Sequence, residues 1–145
     1  MTNKEKVLYA IKHFGKNAAK NLQDNASAMT GTQLYEDEIF IPDFDPAKQY
    51  LNFSAGYVCK SPSGRICKLV QPYDSTIYTS APEELPAQWG FKWSQNPDKA
   101  LPFISLSTSP YSTGDCCTEN GIVYRSKYDN NVQAPSAWPD GWEKV

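Results

Sequence analysis

The chain has 145 residues, of which 40% are apolar, 21% charged and 13% aromatic. This length suits one compact domain or two very small ones. Fourteen basic and sixteen acidic residues leave a formal net charge of -2, so the chain lacks the basic excess with which proteins bind nucleic acid. The apolar runs are too short to span a membrane, and no apolar stretch follows the first basic residues as in a secretory signal. We therefore expect neither a nucleic-acid nor a membrane partner.

A single histidine, His13, restricts the catalytic devices that the chain can contain. A serine or cysteine nucleophile activated by histidine would have to use this residue. His13 lies within a helical pattern, so we predict that it lies on the surface. The remaining enzyme hypothesis is a small glycosidase, which needs two carboxylates across a cleft, for instance Asp115 and Glu119. Two very small sheets offer no such cleft, so we predict that the protein is not an enzyme.

The first 24 residues predict a helix. Thr2 and Glu5 have the spacing of a capping box. Apolar residues recur at helical spacing and share one face: Val7, Ile11, Phe14, Ala18 and Leu22. Gly15 weakens the helix by about 1 kcal/mol relative to alanine, so we expect the apolar face to pack on a partner. That partner is the protein's own domain or another copy of the chain in a homo-oligomer, and the second alternative is slightly preferred.

A break at residues 25–28 precedes a second short helix, for which Thr30 or Thr32 is the predicted cap. An acidic segment without basic residues follows; its carboxylates are Glu36, Asp37, Glu38, Asp43 and Asp45. A calcium loop would place ligands at alternate positions around a turn glycine, and this segment has no such order. We predict a solvent-exposed hinge here and no bound metal.

From Ile39 onward the chain contains all eleven prolines and short apolar runs separated by turns, a pattern typical of antiparallel hairpins. An internal repeat organises this region. Residues 81–89 and 134–142 both read Ala-Pro, two residues, an apolar residue, Pro, two residues and Trp. Two further stretches upstream also match, 56–59 with 114–117 and 64–68 with 121–125. Matched spacing of this kind indicates two related modules.

We therefore predict a mainly β fold with an N-terminal α-helix and two tandem small three-stranded antiparallel β modules. The predicted segments are a helical part at 1–38, a first module at 39–94 and a second module at 103–145. A unit of this size buries little surface. Trp89 and Trp142, which close the two copies of the repeat, are therefore predicted core anchors.

Residues 111–128 resemble the carbohydrate-binding modules of families 5 and 12, the chitin-binding type 3 fold. The shared pattern is a tyrosine, Gly-Asp, a strand, Asn-Gly, a second strand and a Tyr-x-Ser-Lys-aromatic segment, closed here by Pro135 and Trp142. The first module matches only through the internal repeat. Residues 126–142 are also similar to C-terminal segments of tail and baseplate proteins in phages of Gram-positive bacteria. In those proteins an acidic segment ending in Ile-Pro, as at 41–42 here, precedes tandem modules.

The resemblance implies a non-catalytic tail or baseplate accessory protein, assembled in the bacterial cytoplasm and located in the virion. Its modules would contact a polysaccharide or cell-wall glycan of the host and other phage structural proteins, without a cofactor. The predicted glycan-binding residues are Tyr128 and Trp138, whose rings would stack on sugar, and Asp129 and Asn130, which would form hydrogen bonds. Alternatively, Tyr128 covers the small core, and the protein is a purely structural virion component whose modules bind neighbouring proteins rather than sugar.

The four cysteines leave three alternatives open. Cys59 and Cys67 flank a turn and can face each other across a hairpin, whereas Cys116 and Cys117 are adjacent and point to opposite faces of a strand. Neither pair has the spacing of a zinc knuckle. We predict buried free thiols first, a Cys59–Cys67 disulfide second and a zinc site last.

Overall fold

The computed structural model describes all residues 1–145 and contains two helices followed by seven short strands. The helices are α1 (Asn3–Asn25) and α2 (Gly31–Glu36). The strands are β1 (Val58–Lys60), β2 (Ile66–Leu69), β3 (Trp89–Phe91), β4 (Leu101–Pro102), β5 (Cys116–Glu119), β6 (Ile122–Ser126) and β7 (Trp142–Lys144). The predicted N-terminal helix and β-rich remainder are confirmed. Neither helix combines the length and the apolar character needed to cross a bilayer.

Both helices begin at a reciprocal cap. The Thr2 hydroxyl accepts a hydrogen bond from the Glu5 amide at 3.1 Å, and the Glu5 carboxylate accepts one from the Thr2 amide at 2.8 Å. Thr30 and Gln33 repeat this arrangement at the start of α2. The predicted caps at Thr2 and Thr30 are confirmed, and each satisfies amides that have no partner within the helix.

The predicted apolar face of α1 is covered only at its C-terminal end. Leu22 is buried in a cluster with residues of α2 and the first sheet, and the Gln23 side chain donates a hydrogen bond to the Val58 carbonyl at 2.7 Å. Every residue from 3 to 14 is exposed. His13 lies on the surface, as predicted, with its ring stacked beside Tyr9.

The acidic segment after α2 lies at the surface, as predicted. Four of its five carboxylates are exposed: Glu36, Asp37, Asp43 and Asp45. Glu38 is half-buried and pairs with Lys99 at 3.0 Å. No group of three His, Cys, Asp or Glu side chains is arranged as a metal site.

The two sheets differ in their strand number. The first has the predicted three antiparallel strands in the order β1-β2-β3. The second has four strands in the order β4-β5-β6-β7, and β4 is parallel to β5. The prediction of a second three-stranded antiparallel sheet is therefore wrong. The reason is that the Phe103 amide, directly after β4, donates to the Thr118 carbonyl at 2.9 Å and so extends the pairing along the otherwise open edge of β5.

The internal repeat is visible in the backbone of both sheets. The Gly56 amide donates to the Leu69 carbonyl at 2.8 Å, and the Gly114 amide donates to the Ser126 carbonyl at 2.9 Å. Both glycines have a left-handed backbone, with φ of 101° and 95°, which a side chain would strain. The repeat thus specifies the same strand pairing twice.

A triad of aromatic rings packs in each module, and its tyrosine and tryptophan are buried. In the first, Phe44 and Tyr50 stack with centroids 5.6 Å apart, and both meet the Trp89 ring edge-on at 87°. The matching triad of the second sheet consists of Phe103, Tyr111 and Trp142, with centroids 5.3 Å apart in the stacked pair. Trp89 is 0% and Trp142 5% exposed, which confirms both predicted core anchors.

One buried cluster extends through both sheets. It includes Leu69 of the first sheet, Cys117 of the second and Trp93, which lies in the connection between them. The Trp93 ring stacks on Tyr111 with centroids 4.3 Å apart, and its indole N–H donates to the Ser109 carbonyl at 3.0 Å. The two modules therefore share a continuous core, while their division into separate domains stays a prediction.

All four cysteines are buried free thiols, as predicted. The Sγ atoms of Cys59 and Cys67 lie 3.6 Å apart, within hydrogen-bond distance, so the alternative disulfide is not formed. Burial raises the pKa of Cys67 well above its ordinary value, and the neighbouring Cys59 thiol raises it further. Burial also raises the pKa of Cys117 to about 12. These thiols are therefore protonated at neutral pH and unreactive as nucleophiles.

Candidate functional site

The four predicted glycan-binding residues lie together on the surface of the second module. The rings of Tyr128 and Trp138, called the ring pair below, stack with centroids 5.1 Å apart and an interplanar angle of 23°. Tyr128 is 49% exposed, and Trp138 is half-buried beneath it. Asp129 and Asn130 follow Tyr128 in the chain and are both exposed. The two aromatic residues thus form one stack and not a flat row of separate rings.

A network of hydrogen bonds fixes the turn that carries Tyr128. The Ser126 hydroxyl donates to the Tyr128 carbonyl at 2.8 Å and accepts from the Asn131 side-chain amide at 3.0 Å. Asn131 is only 2% exposed, and its backbone exchanges two hydrogen bonds of 2.9 Å with Tyr111. Asn130 has a φ of 55°, a left-handed conformation that asparagine tolerates better than most residues. The orientation of Tyr128 is therefore set by buried groups beneath it.

Trp138 lies against Gly141, and this contact requires glycine. A methyl group at residue 141 would come within 2.2 Å of Cε3 of the indole. The Gly141 carbonyl also accepts a hydrogen bond from the Lys127 amide at 2.9 Å. The residue that contacts the Trp138 indole is therefore also bonded to the turn that carries Tyr128. The role of Gly141 was not predicted from the sequence. A signal for it was present, because the two copies of the repeat differ here: the first has Gln88 and the second has Gly141.

A fixed negative charge lies beside the ring pair. The Asp129 carboxylate accepts a hydrogen bond from the Thr113 amide at 2.9 Å. Hydrogen bonds from the backbone and then the hydroxyl of Thr113 hold the pKa of Asp129 below its ordinary value, so this carboxylate is ionised at neutral pH. The pKa of the nearby Asp115 is raised, because burial outweighs the hydrogen bond from the Ser112 amide. The surface thus combines an aromatic face with strong hydrogen-bond acceptors.

The backbone of the first module follows the same path through the corresponding loop. The Val70 amide donates to the Gln88 carbonyl at 2.7 Å, as the Lys127 amide does to the Gly141 carbonyl at 2.9 Å. The amides of Gln88 and Gly141 each donate in turn to the residue three positions earlier, at 3.0 Å in both modules. These bonds align the two loops residue by residue.

By this alignment the first module has no ring pair. Gln71 stands in place of Tyr128, and Leu85 stands in place of Trp138. The Gln71 side chain donates to the Ala87 carbonyl at 3.2 Å, and Leu85 packs against the aromatic core. The same backbone therefore forms with and without aromatic residues at these positions.

In both modules a tie of hydrogen bonds joins the loop before the last strand to the hairpin. The loop residue is the acceptor in the first module and the donor in the second. In the first, the Glu83 carboxylate accepts hydrogen bonds from Ser61 at 2.9 Å, from Ser63, and from Arg65 at 3.0 Å. Arg65 also donates to the Pro102 carbonyl of β4 at 2.7 Å. Both charged side chains are largely buried, with 10% and 14% of their surfaces exposed, and Arg65 Nε and Glu83 Oε1 have no partner. This ion pair joins the first module to the edge of the second sheet.

In the second module, Ser136 occupies the repeat position of Glu83 and acts as the donor. Its amide and hydroxyl donate to the Glu119 carboxylate at 2.9 and 3.1 Å. Glu119 and Asp115, the carboxylates that a glycosidase hypothesis would use, are thus both engaged in local hydrogen bonds.

Comparison of the whole chain with known protein families, with characterised proteins and with solved structures finds no match.

Proposed function

We propose that the second module binds glycan without catalysis through the ring pair, with Asp129 and Asn130 as its hydrogen-bonding neighbours. The observation that carries this proposal is the difference between two modules with one backbone. The first module folds with Gln71 and Leu85 at the positions of the two rings, so the fold does not require them. A half-exposed aromatic stack that folding does not require indicates a contact surface.

The chemistry of this surface suits a sugar. The outer face of the Tyr128 ring offers an apolar plane for the C–H face of a pyranose. The ionised Asp129 carboxylate accepts hydrogen bonds from sugar hydroxyls, and the Asn130 amide both donates and accepts. Because the two rings are stacked, they present one aromatic face and bind a short stretch of glycan, so several copies are needed for firm attachment.

The biological setting follows from the sequence resemblance. We place the protein in the tail or baseplate of a phage of Gram-positive bacteria, assembled in the host cytoplasm and carried in the virion. Its glycan is a polysaccharide or cell-wall glycan of the host, and other phage structural proteins are its neighbours. The engagement of Asp115 and Glu119 in local hydrogen bonds supports a binding role over glycoside hydrolysis.

A cell-wall pull-down tests the proposal. The intact protein is incubated with Gram-positive cell walls and, separately, with insoluble chitin, and the bound fraction is compared with that of Tyr128→Ala. We expect retention by the walls and an affinity about tenfold lower in the variant, which corresponds to about 1.4 kcal/mol of lost stacking. Tyr78→Ala is the matched control, because Tyr78 is a 62% exposed tyrosine of the first module.

Two results would contradict the proposal. Equal retention of the wild type and Tyr128→Ala would place any glycan contact elsewhere on the protein. Absence of retention on both matrices would support the structural alternative, in which the modules bind neighbouring proteins rather than sugar. The search would then turn to neighbouring virion proteins that contact the modules.

A further inference from the structure

Helix α1 exposes an apolar surface over its N-terminal half. We call this surface the free face; its large apolar residues are Val7, Leu8, Ile11 and Phe14, with exposed fractions of 57%, 56%, 63% and 69%. Four such side chains on about two turns form a contiguous stripe, and stripes of this kind mark sites of association. Tyr9 is similarly exposed at 62% but lies about 160° around the helix from the centre of the stripe.

At the C-terminal end of the helix, the same stripe is covered by the rest of the protein, residues 26–145, called the body below. Leu22 continues the stripe and is only 6% exposed, in a buried cluster against which Phe40 and Met29 pack. Two helices that met in parallel along this stripe would bring both bodies to the same place. In an antiparallel pair the bodies lie at opposite ends, so only this orientation lets the stripes meet.

Charge favours the same orientation. Residues 1–14, which include the exposed half of α1, contain three lysines against one carboxylate, Glu5. The acidic segment packs beside the C-terminal half of α1, and two of its exposed carboxylates, Glu36 and Asp37, have no ion-pair partner within the chain. An antiparallel pair places the basic N-terminal half of each helix beside the acidic segment of the other copy, whereas a parallel pair places lysines beside lysines.

The surface beyond the free face is shaped to accept a helix end. A cleft of about 260 Å³ lies where the stripe meets the body, and Ala18, Asn25, Asp37 and Phe40 are among its lining residues. Nothing lies within 4 Å of the position that a Cβ of Gly15 would occupy. Gly15 and Ala18 leave room beside the cleft for the side chains of a second helix, which gives a reason for a glycine that otherwise weakens α1.

We propose that two copies of this chain associate through antiparallel α1 helices, with the free faces in contact and Ile11 near the two-fold axis. At 1.5 Å per residue, Lys4 of one copy then lies opposite Ala18 of the second copy, about 21 Å along the helix from its own Ala18. The N-terminus of each helix enters the cleft beside Asp37 of the other. This dimer does not depend on the glycan-binding proposal, and it doubles the number of ring pairs.

The first test is the oligomeric state of the full-length protein. We expect sedimentation equilibrium to show a monomer–dimer equilibrium, and we expect Ile11→Glu to raise the dimer Kd at least 100-fold because two like charges would meet at the axis. Tyr9→Glu is the matched control on the opposite side of the helix and leaves the Kd unchanged. Both positions are exposed, so neither variant disturbs the fold. A wild type that stays monomeric at all concentrations, or that forms a closed trimer or larger ring, overturns the proposal.

The second test determines the orientation by disulfide cross-linking. The native thiols are buried and do not compete. We expect Ile11→Cys to cross-link with itself, Lys4→Cys not to do so, and a mixture of Lys4→Cys with Ala18→Cys to form the mixed dimer. Self-cross-linking of Lys4→Cys would show a parallel pair and overturn the proposal. A monomeric protein that still binds cell walls would contradict the dimer alone, which separates this inference from the glycan proposal.

Discussion

In the first module the two loop positions beside the core hold Gln71 and Leu85, whereas in the second they hold Tyr128 and Trp138. The backbone hydrogen bonds around these positions are the same in both. What the modules share, the left-handed glycine turns and the buried aromatic triads, is what the fold requires. The positions at which the modules differ are available for function, and the ring pair occupies two of them.

A second difference concerns how each module ties its loop to its hairpin. Glu83 accepts hydrogen bonds in the first module, whereas Ser136 donates them in the second. Only the first uses a buried ion pair, and Arg65 extends that tie to the Pro102 carbonyl of the second sheet. The first module is therefore the one that carries the polar link between the sheets, and the second carries the exposed aromatic surface.

The largest expected effect tests whether the modules are separable. Trp89→Ala and Trp142→Ala should each lower the free energy of unfolding by about 3–5 kcal/mol, because each removes a buried indole from a triad. Since one core spans both sheets, urea unfolding followed by circular dichroism should show a single transition in each variant. Two transitions, one of them unchanged from the wild type, would mean that the modules fold independently. Trp138→Ala is the control and should cost less, because that indole is only half-buried.

The second effect concerns the unequal loop ties. Glu83→Gln should lower the free energy of unfolding by about 2–3 kcal/mol, because it leaves the Arg65 charge buried without its partner. Ser136→Ala should cost only about 0.5–1 kcal/mol, because it removes one solvent-exposed hydrogen bond to the Glu119 carboxylate and leaves the bond from the Ser136 amide in place. Urea unfolding at neutral pH measures both. Equal costs for the two variants would show that the buried pair is no stronger than its exposed counterpart.

The lowered pKa of Glu83 predicts that the free energy of unfolding depends on pH. Burial raises the pKa of Glu83, but hydrogen bonds from Ser63, Ser61 and Arg65 outweigh it and hold the pKa below the ordinary value of 4.5. Ionised Glu83 therefore stabilises the folded state above pH 4.5, and this contribution is lost as the pH falls below that value. Wild-type stability should fall more steeply than that of Glu83→Gln in this range. Parallel pH profiles would contradict the assignment.

A modest change in stability accompanies the test of the ring pair. Gly141→Ala should lower the free energy of unfolding by about 1–2 kcal/mol, because its methyl group displaces the Trp138 ring. Retention by cell walls should fall as far as in Tyr128→Ala, since the stack loses its support. Gln88→Ala at the matching position of the first module should leave retention unchanged. Full retention by Gly141→Ala would separate glycan binding from the ring pair.

Local signals in the sequence determined much of this protein. Helix caps at Thr2 and Thr30, the strand pairs of each repeat and the anchoring tryptophans follow from interactions between residues near in sequence or from a pattern that occurs twice. The exposed positions of Tyr128, Asp129 and Asn130 follow from turn chemistry in the same way. The caps need no knowledge of the rest of the fold, because their partners lie three residues away. The strand pairs and the tryptophans have distant partners and were predictable because the same pattern occurs twice.

Other features depend on contacts between distant segments, and only the tertiary structure decided them. Leu101–Pro102 is too short to show any periodicity, so its parallel pairing to β5 left no sequence signal. Whether Trp138 stacks on Tyr128 depended on an empty space at Gly141, and whether the apolar stripe of α1 was covered depended on where the body ends. In each case the deciding quantity was the distance between packed groups in the folded protein, which hydrophobic periodicity and turn signals in the sequence do not specify.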